Sequence, residues 1–95
     1  MDRIFNMPHS FRVRFVQGMA DSDGSMKPYE VVITSVPNAD FLTRLLQSLG
    51  MATAHTIREE NKPLRTMVNA RQAAKLPIFN EFVESYRYKR LMEHT

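Results

Sequence analysis

Two aspartates, Asp21 and Asp23, lie one residue apart in the segment VQGMADSDG, which ends at Gly24. One interpretation is that they simply end a helix, because Asp and Gly are favoured in turns. A second interpretation is chemical: if two copies of the preceding helix cross where Gly18 removes a side chain, two copies of Asp23 come together. Paired carboxylates repel each other and favour a divalent cation such as Mg²⁺. Such a site could support metal-assisted hydrolysis of a phosphodiester.

The composition limits the classes of function. The chain has 95 residues, a formal net charge of +3 and thirteen basic residues, nine of them arginine. This charge permits nucleic-acid binding but is also typical of an ordinary solvated surface. Cysteine is absent, which excludes disulfides and thiolate metal sites and favours an intracellular, cytoplasmic setting. No apolar run approaches the roughly 20 residues that cross a bilayer, so we expect no membrane association.

The length predicts one domain over residues 1–95, with a small core that a partner chain would help to stabilise. Apolar residues at spacings of three and four predict a first helix over about 10–21, with Ser10 as its N-cap. The β-branched segment 25–36 then predicts either a single strand or a very tight hairpin over 26–34. Its two faces alternate too weakly to indicate which one points outward.

The middle of the chain predicts a second helix and a second hairpin. The segment PNADFLTRLLQSLG carries a stripe of leucines, with Asn38 placed to cap the helix and Gly50 placed to end it. Residues 52–59 and 64–69 carry β-forming residues on either side of a polar turn, which is typical of a hairpin.

The last third of the chain, from about Arg71, is predicted to be helical, because Pro77 is tolerated in a first turn. Its apolar face is supplied by Ile78, Phe79, Phe82, Val83 and Tyr86. The predicted order is helix, strand or tight hairpin, helix, hairpin, helix. This order is typical of an α+β fold with its helices on one face of an antiparallel sheet, which leaves the other face for water or a ligand.

The segment VQGMADSDG resembles the nine-residue signature of the LAGLIDADG homing endonucleases. Identical positions are Gly18, Asp21, Asp23 and Gly24; Val16 and Met19 match in character, whereas Gln17 and Ala20 depart from the usual pattern. The elements that follow also resemble the family order αββαββα, with a shorter first hairpin than family members normally have. The resemblance covers nearly the whole chain.

The resemblance implies a Mg²⁺-dependent DNA endonuclease that uses no small-molecule cofactor. The metal ligands implied are the carboxylate of Asp23 and the backbone carbonyl of Ser22, with Asp21 more structural than catalytic. The second catalytic residue implied is Lys89, in the segment SYRYKRLMEH, near the scissile phosphate. An alternative interpretation of that basic segment is a solvated helix end that complements the helix dipole.

Family members with one signature pair as symmetric homodimers, which implies a dimer interface on the first helix formed by Phe11, Phe15, Gly18 and Ser22. A two-fold axis implies a palindromic or nearly palindromic duplex DNA target. The residues expected to contact DNA are Lys27, Tyr29, Arg58, Lys62, Arg65 and Arg71. Two alternatives remain on the same scaffold: a DNA-binding regulator that does not cleave, and an RNA-binding protein that assists splicing.

Overall fold

The computed structural model describes residues 2–34, 38–80 and 85–93. A short 3-10 helix, Asp2–Asn6, precedes the first α-helix. The helices are α1 (His9–Asp23), α2 (Ala39–Ser48), α3 (Ala70–Lys75) and α4 (Tyr86–Glu93). The strands are β1 (Gly24–Lys27), β2 (Glu30–Thr34), β3 (His55–Ile57) and β4 (Arg65–Asn69). The predicted α+β class is confirmed.

The four strands form one antiparallel sheet in the order β1-β2-β4-β3. The register places Ser25, Val32, Met67 and His55 in one row across the sheet. Because successive side chains of a strand alternate between the two faces, this row defines one face of the sheet. We call it the open face, and it carries Ser25, Lys27, Glu30, Val32, Thr34, His55, Ile57, Arg65, Met67 and Asn69.

The opposite face is covered by the helices. Its central residues are Val31, Ile33 and Val68, and they belong to one core with buried residues of α1, α2, α3 and α4. Of the predicted leucine stripe, Leu42, Leu45 and Leu46 are fully buried in α2, whereas Leu49 follows the helix and is half-buried. Burial of each such side chain stabilises the fold by about 1.5–3 kcal/mol. The helices are therefore held on one side of the sheet.

The first hairpin is the tight form of the two predicted alternatives. Lys27 pairs with Glu30, so that only Pro28 and Tyr29 form the turn. Tyr29 has a φ of 66°. A proline followed by a residue with positive φ is characteristic of a type II turn, which normally places glycine or asparagine at the second position. The hairpin begins directly after Asp23, without an intervening loop.

The prediction of one continuous helix from Arg71 is wrong. Helix α3 ends at Lys75, and Leu76 is extended, with φ −131° and ψ 86°. The physical reason is Pro77, because proline disfavours helical geometry in the residue before it. Ile78 and Phe79 enter the core from a non-helical segment rather than from a helix face. Phe82 and Val83 lie outside the described residues.

Three smaller predictions also need correction. Helix α1 starts at His9, so Ser10 lies inside it and Pro8 takes the N-cap position. Asn38 does occupy the N-cap position of α2, but its side chain makes no capping hydrogen bond. The strand predicted over 52–59 is shorter, because β3 spans His55–Ile57. Gly50 follows α2 with a φ of 94°, the left-handed conformation that glycine adopts readily at the end of a helix.

Candidate functional site

The two aspartates lie where α1 runs into β1. Asp21 is half-buried, and its Oδ1 accepts a hydrogen bond of 3.1 Å from the backbone N–H of Asn80. This contact agrees with the structural role expected for Asp21. Asp23 is the exposed last residue of α1. Within the described part of the chain its carboxylate has no hydrogen-bond or ion-pair partner, so the two acids have different environments.

The end of α1 carries negative charge that no side chain of its last turn offsets. A helix dipole places partial negative charge at the C-terminus, where basic residues are favoured and acidic ones are not. The last turn of α1 has no basic residue, yet it contains Asp21 and Asp23. The carbonyl of Ser22 lies in the same turn, where carbonyls lack partners within the helix. This oxygen-rich end favours a cation, and the guanidinium of Arg87 lies beside it at the carbonyl of Gly24.

Gly24, the last residue of the segment VQGMADSDG, fits between two neighbouring elements. A Cβ atom on Gly24 would lie 2.4 Å from the carbonyl oxygen of Ala20 and 2.9 Å from Cε1 of Phe79. Phe79 is fully buried. The glycine is therefore required by the close approach of the core to the backbone, and this packing fixes the position of the residue directly after Asp23.

Helix α4 contributes a contact that was not predicted from the sequence. Nε of Arg87 donates a hydrogen bond of 2.7 Å to the carbonyl oxygen of Gly24. Lys89, the predicted catalytic residue, lies on the same helix and is exposed. Nothing in the local sequence distinguishes Arg87 from its basic neighbours, because the contact depends on how α4 packs against β1. Arg87 thus anchors α4 to the residue that follows Asp23.

The described residues of one chain do not supply a full set of metal ligands. Within residues 2–34, 38–80 and 85–93, no group of three or more histidine, cysteine, aspartate or glutamate side chains could hold a metal ion. Asp23 and the Ser22 carbonyl provide oxygen donors of the type that Mg²⁺ prefers. A second copy of the chain, water or a bound phosphate could supply further donors.

The outer face of α1 carries the predicted interface residues. Phe11 is 47% exposed. Gly18 is exposed, and a Cβ atom there would have no heavy atom within 4 Å. The Oγ of Ser22 donates back to the carbonyls of Gly18 and Met19, at 3.1 and 3.2 Å. Phe15 lies at the border of this face, with its ring edge-on to Phe41 at a centroid distance of 6.2 Å.

A groove of about 460 Å³ runs beside Gly18 along this outer face. It is lined by Arg14, Gln17, Gly18, Asp21 and Asn80. Gln17 is fixed there, because its Nε2 donates to the carbonyl of Pro77 at 3.0 Å. Val16 and Ala20 face the core, whereas the outward side beside Gly18 is mainly polar and carries Phe11 as an exposed apolar residue.

The six predicted DNA contacts lie in separate regions. Lys27 and Arg65 are on the open face, and Arg58 and Lys62 are in the connection between β3 and β4. Tyr29 and Arg71 lie together at the tip of the first hairpin, where they line a common pocket. The structure therefore places these residues along the open face and its ends but does not gather them into one cluster.

Three of these cations are paired with acids of the same chain. Nη2 of Arg58 lies 2.6 Å from Oδ2 of Asp40. Glu59 pairs with both Lys62, at 3.2 Å, and Arg65, at 2.7 Å. Hydrogen bonding to Arg58 holds the pKa of Asp40 below its ordinary value. Hydrogen bonding to Lys62, followed by the interaction with Arg65, lowers the pKa of Glu59 in the same way.

Arg65 is the most enclosed of these three cations, with its side chain 15% exposed. Its Nη2 lies against Oε1 of Glu59, whereas its Nε is buried without a hydrogen-bond partner among the described residues. A buried donor without a partner is costly, so an acceptor that reached this nitrogen would be bound favourably.

The acidic partners of these cations were not predicted from the sequence. Asp40 lies 18 residues before Arg58, so their contact depends on how α2 packs beside β3. The one signal in the sequence is the spacing of three residues between Glu59 and Lys62. Such a spacing brings side chains together on a helix, but here the residues lie in a connection between strands, where spacing alone predicts little. The pairing follows from the folded path of the connection.

Comparison of the chain with models of known families, with curated proteins and with solved structures finds no match. No helix in the described part of the chain is long and apolar enough to cross a membrane.

Proposed function

We propose that the protein is a Mg²⁺-dependent, site-specific double-strand DNA endonuclease that acts as a symmetric homodimer on a palindromic or nearly palindromic site. The observation that carries this proposal is the environment of Asp23. Asp23 is exposed at the negative end of α1, and the packing of Gly24 against Phe79 fixes the backbone directly after it. A carboxylate placed against a helix dipole is unfavourable unless a cation offsets it.

The proposed metal is held by the carboxylate of Asp23 and the backbone carbonyl of Ser22. Bound Mg²⁺ would polarise a phosphate and activate a water molecule for attack on it. Arg87 holds the backbone after Asp23 through the carbonyl of Gly24. Lys89, exposed on the same helix, is the proposed basic residue near the scissile phosphate.

The proposed dimer joins the outer faces of two α1 helices. Gly18 supports this arrangement because it leaves space where a second helix can approach closely. Phe11 adds exposed apolar surface about two helical turns earlier on the same side. A two-fold axis close to Gly18 would bring the two copies of Asp23 towards each other and complete the set of metal ligands.

The proposed DNA surface is the open face of the sheet with its two ends. Lys27 is exposed there. A two-stranded β-ribbon fits the major groove of duplex DNA, and arginine and lysine side chains bind phosphates and guanine edges. The ion pairs at Asp40 and Glu59 would exchange their basic partners for DNA phosphates on binding. In the proposed LAGLIDADG-like fold, α1 forms the dimer interface and the sheet binds DNA.

Selection of cleaved molecules from a random duplex library tests the proposal. We expect the wild-type protein to cut a small set of duplexes in Mg²⁺ and none in EDTA, and the recovered sites to be symmetric. Recovery of bound but uncut duplexes in Mg²⁺ would support a DNA-binding regulator instead. Tighter binding to structured RNA than to every duplex in the library would contradict a DNA function.

A further inference from the structure

We propose that the pocket at the tip of the first hairpin binds one unpaired base of a nucleic-acid strand together with its adjoining phosphate. The pocket has a volume of about 240 Å³ and is lined by Tyr29, Asn69, Ala70 and Arg71. The inference rests on the proposed nucleic-acid function, but it requires neither Asp23 nor a metal. It extends the proposed function from recognition of base-paired DNA to binding of a base that is neither paired nor stacked.

Tyr29 has a conformation that is unusual for its side chain. Its φ of 66° lies in the left-handed region, which bulky residues rarely adopt. The residue is 72% exposed, so burial of the ring does not offset the strain. Strained residues of this kind cluster at binding sites, where the conformation aims a side chain at a ligand. The turn thus presents an exposed aromatic ring at the tip of the hairpin.

The backbone around the ring is anchored. The N–H of Ala70 donates to the carbonyl of Tyr29 at 2.9 Å, which ties the turn to the start of α3. The N–H of Arg71 donates to Oδ1 of Asn69 at 2.8 Å. The N–H groups of Ala70 and Arg71 are therefore both occupied, so neither is available for an anion in the pocket.

Two cations lie at this end of the sheet, and Glu30 is the cross-strand neighbour of one of them, Lys27. Within the described residues, neither Lys27 nor Arg71 is paired with an acid, unlike Arg58, Lys62 and Arg65. An exposed aromatic ring beside unpaired cations is the arrangement with which proteins stack a base and bind its backbone. The bases of an intact duplex are already stacked, so the pocket suits a base that is unpaired.

Binding of a fluorescent single-stranded thymidine 12-mer, followed by anisotropy in EDTA, tests the pocket. We expect Tyr29→Asn to lower the affinity about tenfold or more. Asparagine tolerates positive φ, so the same variant should raise the Tm by a few degrees. Tyr29→Phe keeps the ring and should bind within about twofold of wild type. Arg71→Gln should weaken binding and reduce its salt dependence.

Tyr86→Asn is the matched control, because Tyr86 is also an exposed tyrosine but lies on α4. It should bind the strand as wild type does. The inference is overturned if Tyr29→Asn binds the strand as tightly as wild type, or if Tyr29→Phe loses as much affinity as Tyr29→Asn. If the wild-type protein cuts duplexes but does not bind the single strand, the base-binding pocket is excluded and the proposed nuclease activity is not. If the protein binds the single strand but cuts no duplex, the proposed nuclease activity is excluded and the base-binding pocket is not.

Discussion

Arg87 and Gly24 are joined by a hydrogen bond of 2.7 Å from Nε to the backbone carbonyl, which links α4 to the residue after Asp23. Gly24 is buried, so removal of the donor leaves its carbonyl unsatisfied. We expect Arg87→Met to lower the free energy of unfolding by about 1–2 kcal/mol in urea titrations. Arg90→Met, at an exposed arginine of the same helix, should change it by less than about 0.5 kcal/mol. Equal effects of the two substitutions would contradict a specific role for Arg87.

Gly18 and Gly24 should respond in opposite ways to the same substitution. Gly18→Ala adds a methyl group to open space on a helix, so it should stabilise the isolated chain by up to about 1 kcal/mol. It should also raise the dimer dissociation constant measured by sedimentation, because it fills the proposed helix crossing. Gly24→Ala should destabilise the fold by about 1–3 kcal/mol, since its methyl group meets Ala20 and Phe79. An unchanged dimer constant in Gly18→Ala would exclude the crossing at this residue.

The ion pair between Arg58 and Asp40 predicts a pH dependence of stability. Arg58 lowers the pKa of Asp40 below its ordinary value of 3.8, so the ionised carboxyl is favoured in the folded state. Its contribution is present above that pH and is lost as the pH falls through the lower folded value. We expect Arg58→Gln to make the loss of stability below about pH 4 shallower than in wild type. Urea midpoints measured across the acid range would show this, and an identical pH profile would contradict it.

Glu59 should limit the affinity for DNA, because it pairs with Lys62 and Arg65 at once. We expect Glu59→Gln to bind duplex DNA several-fold more tightly. The slope of log affinity against log salt concentration should become steeper by the amount that about one to two additional phosphate contacts produce. Filter binding at a series of salt concentrations measures both quantities. Glu60→Gln removes the same charge from an exposed neighbour and is the matched control. Equal gains in both variants would mean that only the net charge matters.

The sequence predicts a helix or strand correctly where its local residue pattern and its packing in the folded chain favour the same conformation. The leucines of α2 are buried as predicted, because their spacing and the core favour the same helix. The outward face of β2 could not be predicted, since Val31, Val32 and Ile33 are all apolar. Val32 is only 3% exposed although it lies on the open face. The sequence does not predict the break before Pro77, because Ile78 and Phe79 belong to an apolar series with helical spacing but are buried in the core without a helix.

At the site, the different roles expected for Asp21 and Asp23 rest on the resemblance to the LAGLIDADG signature and not on their spacing. The contact of Asp21 with Asn80 and that of Gly24 with Arg87 both join residues that are far apart in the chain. Such contacts depend on how the C-terminal segments pack against α1 and β1. Local patterns do not contain this information, so Arg87 and Asn80 emerge only from the folded chain.

The most direct test compares Asp23→Asn with wild type on a duplex that the wild-type protein cuts. Asp21→Asn is the control, because asparagine keeps the Oδ1 acceptor for the N–H of Asn80. We expect Asp23→Asn to bind the duplex with unchanged affinity in gel shifts and to release no double-strand break in Mg²⁺, whereas Asp21→Asn keeps its fold and much of its cleavage. Cleavage by Asp23→Asn at the wild-type rate would contradict the assignment of Asp23 as the metal ligand.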